Sequence, residues 1–124
     1  MKRIEALALV ITKFNGGFTP DDPAMQLNNP GRLRVFSCRT LPTVAEGGMR
    51  SFKSWADGFK ALVYDLGVKC SGQSRTKLKP DSALKDLLGV WGFKDTRKAV
   101  LYLRRSLYDE TITNHTPISW FLGD

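Results

Sequence analysis

Few residues in this chain have the type and spacing to do chemistry, and most of those are carboxylates and amides. Glu46 stands directly before Gly47-Gly48, and Asp21 and Asp22 sit between Pro20 and Pro23. A carboxyl with a raised pKa can protonate a leaving oxygen, whereas an acid in an exposed turn is only a solvated charge. Asn15, Asn28, Asn29 and Arg32 belong to the turn sequences Asn15-Gly16-Gly17 and Asn28-Asn29-Pro30-Gly31-Arg32. They are either turn formers with a solvated cation or hydrogen-bonding groups around a polar ligand. Trp55 and Trp91 offer rings that plug a core or stack on a ligand. Cys38, Cys70 and the single His115 give neither a tetrahedral metal set nor a thiol–imidazole spacing, so no metal and no cofactor are expected. The paired glycines lack the strand-to-helix frame and the following lysine of a phosphate loop.

The positions that would hold these groups belong to a chain of ordinary globular composition. Its 124 residues suit one domain, 1–124, with 42% hydrophobic and 25% charged residues, which sets aside disordered and collagen-like classes. No apolar run approaches the roughly 18–20 residues of a membrane span. The net charge of +7 is unevenly placed: residues 69–105 hold ten Lys or Arg against three Asp. Such a field attracts polyanions, whether nucleic acid, anionic lipid or the acidic polymers of a bacterial wall, or it is a solvated face that keeps a small protein soluble.

Met1-Lys2-Arg3 followed by an apolar run resembles a signal peptide, but Glu5 interrupts the run and no small-residue cleavage site follows. Ile4, Leu7, Ala8, Ile11 and Phe14 instead fall on one helical face. The expectation is a chain made in a cytoplasm without a cleavable signal, its two cysteines free thiols. A helix over 2–14 stops at Asn15-Gly16-Gly17. A proline-rich loop to Gly31 precedes short strands over 33–37, 40–44 and 49–52, with the last turn at Glu46-Gly47-Gly48. Ser54 and Asp57 form a capping box for a helix to about Leu66, with Phe59, Leu62, Val63 and Leu66 as its apolar stripe. Ser82 caps a short helix ended by Gly89, and Asp95 caps a last helix from Thr96 to about Tyr108. Ile118, Trp120, Phe121 and Leu122 dock on the core. The fold class is α+β, mostly helical, with one small antiparallel β-hairpin sheet after the first helix.

This order of elements, and above all Asn28-Asn29-Pro30-Gly31-Arg32-Leu33-Arg34, resembles the lysozyme-like superfamily. The likeness is to small phage and prophage domains that include lytic transglycosylases and virion structural proteins. It rests on Gly17-Phe18, Asn28 to Leu33, Met49-Arg50-Ser51-Phe52-Lys53-Ser54 and, more loosely, Asp95-Thr96. The resemblance implies action on the β-1,4 bond between the amino sugars of peptidoglycan. A Glu at the end of the first helix protonates the glycosidic oxygen, and a second group serves the oxocarbenium-like centre or the nucleophile. It also implies that the helix end and the hairpin face each other across a trench.

Here the position of that Glu reads Asn15 or Gly16, and an amide has no titratable proton to give. Either catalysis is lost and the groove kept, or another carboxylate serves, Glu46 first and Asp21 or Asp22 behind it, or the chain is an inactivated form. Asn28, Asn29, Arg32 and Trp55 are the expected substrate-binding residues. The expected partner is peptidoglycan or another anionic polymer, met at the cell wall or in a virion by a monomer. The rival readings are a basic nucleic-acid- or protein-binding factor using residues 69–105, and a non-catalytic virion component.

Overall fold

The computed structural model of the chain describes residues 1–33, 44–46 and 49–124; the side chains of residues 44–46 and 49 are outside that description. The described chain is mostly helical. In order it has α1 (Arg3–Phe14), α2 (Pro23–Gln26), β1 (Val44–Glu46), β2 (Met49–Ser51), α3 (Trp55–Cys70), α4 (Leu84–Val90), α5 (Arg97–Leu107) and a 3₁₀ helix, Ile118–Leu122. The chain divides into two compact units. The first unit holds residues 1–10 and 66–124, and the second holds 11–65. Helices α1 and α3 each contribute residues to both units.

Helix α1 buries more than one face. Ala6, Leu7, Ala8, Val10, Ile11 and Thr12 are all fully covered, while Phe14, expected on the apolar stripe, is 41% exposed. The single-stripe expectation therefore holds for Leu7, Ala8 and Ile11 and fails at the helix end. There the chain turns through Gly16, whose φ of +82° is the left-handed conformation glycine adopts without strain.

In the first unit, α3 runs on past the expected stop at Leu66 to Cys70. Leu62, Leu66 and Cys70 are buried at steps of four, so the apolar stripe continues through Gly67. The helix closes at Gly72 (φ +79°), with the Gly72 amide donating to the Lys69 carbonyl and the Gln73 amide to that of Val68. Helix α4 also departs from its expected ends. Its N-cap is Ala83, and the Ser82 hydroxyl accepts from the Lys79 amide instead. The helix passes Gly89 to Val90, and Gly92 at φ +83° takes the turn.

Helix α5 starts one residue later than expected, and the Asp95 carboxylate accepts the Arg97 amide at 3.0 Å. It ends on Tyr108 in the left-handed conformation. The segment after it is clasped to residues 80–85 by backbone bonds: Leu84 to Thr116, Lys85 to Asn114, Ile118 to Ser82 and Ser119 to Pro80. That clasp seats the 3₁₀ helix, with Ile118 and Phe121 buried and Leu122 exposed. Leu84, Leu87, Leu88, Leu103, Ile112 and Phe121 make the aliphatic and aromatic core of this unit.

In the second unit, β1 and β2 pair antiparallel in the register Val44–Ser51, Ala45–Arg50 and Glu46–Met49. Glu46 thus belongs to a strand rather than to the turn expected of it. The turn glycines 47–48, the expected strand over 33–37 beyond Leu33, Cys38 and most of 40–44 lie outside the described residues. The expected capping of α3 is present, the Ser54 hydroxyl accepting the Asp57 amide at 3.1 Å. No helix among the described residues is long and apolar enough to cross a membrane.

Candidate functional site

Asn15, Asp22, Asn28, Asn29, Arg32 and Trp55 lie in the second unit, around the end of α1 and the Asn28–Arg32 loop. Asn15 closes the helix: its side-chain amide donates to the Ile11 carbonyl at 3.0 Å, and its backbone amide donates to the same oxygen. Of the two positions aligned with the expected Glu, Gly16 is the poorer host. A Cβ there would lie 2.3 Å from an Asp22 carboxylate oxygen, on a backbone already at positive φ. Position 15 is the one that can carry a side chain, and it carries an amide.

Asn29 is fully buried and fully occupied. Its carbonyl oxygen accepts the Leu33 amide at 2.9 Å, and its NH₂ donates to the Leu33 and Arg50 carbonyls at 3.0 and 2.9 Å. With the Arg50 amide donating to Leu33, this one side chain ties the loop to strand β2. Asn28 sits at φ +54° and donates its side-chain NH₂ to the Phe52 carbonyl at 3.0 Å. Asn29 therefore spends both its donors on backbone, which leaves it none for a ligand.

Arg32, also left-handed at φ +51°, is pinned on two sides. One terminal nitrogen reaches both oxygens of Asp22 at 2.6 and 2.7 Å, and its Nε donates to the Asn15 carbonyl at 2.8 Å. Asp22 in turn accepts the Ala24 amide as the N-cap of α2. Asp22 is thus a structural anion that links the helix end, α2 and Arg32. Asp21 beside it is exposed. Glu46 ends β1 opposite Met49, and its side chain lies outside the description.

Trp55 heads α3 at the centre of an aromatic stack. Phe18 lies 5.7 Å away at 27° and Phe59 5.2 Å away at 13°, centroid to centroid. The indole N–H donates to the Gly17 carbonyl at 3.3 Å, which ties the stack to the turn after α1. Phe18 is half exposed, and Trp55 and Phe59 are partly so. Sequence reasoning named Trp55 and missed its two neighbours. The Trp55–Phe59 spacing of four on one helix was the available signal, whereas Phe18 reaches the stack only through the turn geometry. Also missed was Gly58, where a Cβ would come within 1.8 Å of the Asn28 carbonyl. That close approach seats the loop on α3.

Other chemistry-bearing groups stand apart from this site. In the first unit Lys69 places its ammonium 5.3 Å from the Trp91 ring centroid. Burial pushes the Cys70 thiol up to about 12, against a smaller lowering by Lys69, so it is no nucleophile near neutral pH. Among the described residues no cluster of His, Cys, Asp and Glu could hold a metal ion. Comparison with protein-family models, with curated proteins and with solved structures finds no match to this chain.

Proposed function

We propose that the chain is a peptidoglycan-directed module of lysozyme-like layout that engages the amino-sugar strand without cutting it. The observation that carries the reading is the Phe18–Trp55–Phe59 stack beside the Asn15 helix end. Sugar rings present C–H faces that dock on partly exposed aromatic rings, and neighbouring polar groups fix their orientation. At the helix end, where the resemblance asks for a proton donor, Asn15 offers hydrogen bonds and no titratable proton. The positive charge of residues 69–105 holds the module on an anionic wall. In this reading Glu46, with Asp21 behind it, is the carboxylate through which the chain would cut, since Asp22 is bound to Arg32.

The test is sedimentation with purified sacculi, followed by mass analysis of what is released. Binding with no released muropeptides is expected, and Trp55→Ala reduces binding about tenfold or more. Asn15→Glu brings muralytic activity to a chain whose groove is intact, and a folded but inactive Asn15→Glu protein counts against the lysozyme-like layout. Should the native chain release muropeptides, Glu46→Gln abolishes that release; full activity in this variant removes Glu46 from the site. Failure to bind sacculi, together with steeply salt-dependent affinity for duplex DNA, would favour the nucleic-acid reading.

A further inference from the structure

We propose that a groove in the first unit, between α5 and residues 113–115, binds a short acidic peptide. The groove has a volume of about 410 Å³, within the range of small-ligand pockets. Arg97 and Arg104 mark its two ends along α5, Val100 and Leu101 lie between them, and Thr113 to His115 form the opposite wall. This proposal does not depend on the glycan reading, because the groove lies outside the unit that carries the aromatic stack and the ligand contains no sugar.

The two arginines are set up differently for the same task. Arg104 is half-buried, and its Nε donates to the Ile112 carbonyl at 2.7 Å. That bond orients the guanidinium and leaves its terminal nitrogens to grip a carboxylate. Arg97 is exposed and paired with Asp95 at 2.8 Å. An ion pair in water is worth little, so a ligand carboxylate can replace Asp95 there. Seven residues of helix separate the two, about 10 Å along the axis. Side chains on one face of an extended peptide recur every second residue, so carboxylates at positions i and i+4 face the helix together about 13 Å apart, and the flexible side chains of both partners take up the difference.

Between the charged ends, Val100 and Leu101 offer an aliphatic floor, and Leu101 is 45% exposed on an otherwise polar face. A small apolar side chain at i+2, on the same face as the two acids, would cover it. The wall is held in place by its own bonds: the Thr113 amide donates to the Thr116 hydroxyl, that of His115 to the Thr113 hydroxyl, and that of Lys85 to the Asn114 carbonyl. A nucleic acid strand would want a row of open cations and aromatic platforms for its bases. Here the cations are interrupted by aliphatic side chains, and the groove has no Phe, Tyr or Trp in its lining.

The experiment titrates the ¹⁵N-labelled full chain with acetyl-Glu-Ala-Val-Ala-Glu-amide and follows amide shifts. Its controls are the Gln-for-Glu peptide, inorganic phosphate and a short single-stranded oligonucleotide. Shifts confined to α5 and residues 113–115 are expected, with the neutral peptide at least tenfold weaker. Arg104→Ala weakens binding about tenfold and Arg97→Ala about threefold. Asp95→Asn removes the competitor for Arg97 while keeping a capping oxygen, so it tightens binding about twofold, a gain that no unfolding could mimic. Equal affinity for the neutral peptide, equal or tighter binding of phosphate or the oligonucleotide in the groove, or weaker binding by Asp95→Asn would overturn the proposal.

Discussion

The two units are held together by different physics. In the second, one buried amide, Asn29, makes three bonds to backbone, and Arg32 links the helix end to Asp22. In the first, leucines at 84, 87, 88 and 103 form the core, and backbone bonds clasp the segment after α5 to residues 80–85. Aliphatic burial is tolerant of exact geometry, whereas a side chain that satisfies three backbone groups fixes them to within tenths of an ångström. The polar mode appears where the chain holds two non-glycine residues, Asn28 and Arg32, at positive φ. Each such residue stores on the order of 1 kcal/mol of strain or more, which the surrounding bonds must offset. The aromatic stack stands in this over-determined unit.

The largest effects separate these two modes. Asn29→Ala strands the Leu33 amide and takes a donor from the Leu33 and Arg50 carbonyls, the first of which keeps the Arg50 amide, and a loss of about 3 kcal/mol is expected in denaturant unfolding. Leu87→Ala opens a cavity in the first unit and costs about 2–5 kcal/mol. Hydrogen exchange tells the two apart. Asn29→Ala speeds exchange at Leu33 and Arg50 while Leu84 and Ile118 keep their protection, and Leu87→Ala does the reverse. Uniform loss of protection in both variants would mean that the units open as one, and the comparison would fall.

A pH-dependent effect comes next, and it belongs to the aliphatic unit. Cys70 has its thiol pushed up to about 12 by burial, from an ordinary value of 9.0. Above pH 9 the unfolded chain releases that proton and the folded chain keeps it, so the unfolded state binds fewer protons and stability falls as pH rises. The fall is on the order of 1 kcal/mol per pH unit between about 9 and 12. Cys70→Ala should flatten the slope in that window, measured by denaturant midpoints, and an unchanged slope would show that the thiol is not the group responsible. Below pH 9, alkylation mapped by peptide analysis should leave Cys70 unmodified in the native chain.

Smaller still is Gly67→Ala. A Cβ at this position meets nothing within 4 Å, and the residue lies inside α3. Replacing it should raise stability by about 0.5–1 kcal/mol, since glycine costs that much in a helix interior. Gly58, on the same helix, gives the opposite sign because the Asn28 carbonyl fills its space. Two glycines nine residues apart on one helix thus report whether backbone or solvent lies alongside.

What was legible in the sequence follows the same division. The helices could be read from periodic leucines and from capping residues such as Ser54, because those signals are local. Two ends differ from the expectation: the helix read to about Leu66 runs on to Cys70, and Gly89, the expected stop of α4, merely tolerates the helix. The residues of the Asn28–Arg32 loop and Trp55 could be picked out, but their tasks could not. Whether Asn29 meets a ligand or a backbone depends on Arg50, twenty-one residues away, and pairing of Arg32 with Asp22 depends on two turns closing together. Long-range polar satisfaction leaves no periodic trace. Glu46 was read as a turn acid because Gly47-Gly48 follows it, yet its backbone pairs with Met49.

The smallest expected effect tests whether the exposed ion pair of the first unit carries structural weight. Asp95 accepts the Arg97 amide and pairs with its guanidinium, and the side-chain bond to Arg97 is the main cause holding its carboxyl down at about 2. A depressed carboxylate contributes stability above its unfolded value of 3.8 and loses it as pH falls toward 2. Both partners are exposed, so water screens the pair. Asp95→Asn should therefore shift the melting temperature by about 1 °C or less at pH 7, and the difference should vanish at pH 2. Asparagine retains an oxygen for the cap, which isolates the charge from the hydrogen bond. A drop of many degrees would place a polar anchor in the unit that aliphatic burial is said to hold, and the contrast with Asn29 would then be one of location rather than of kind.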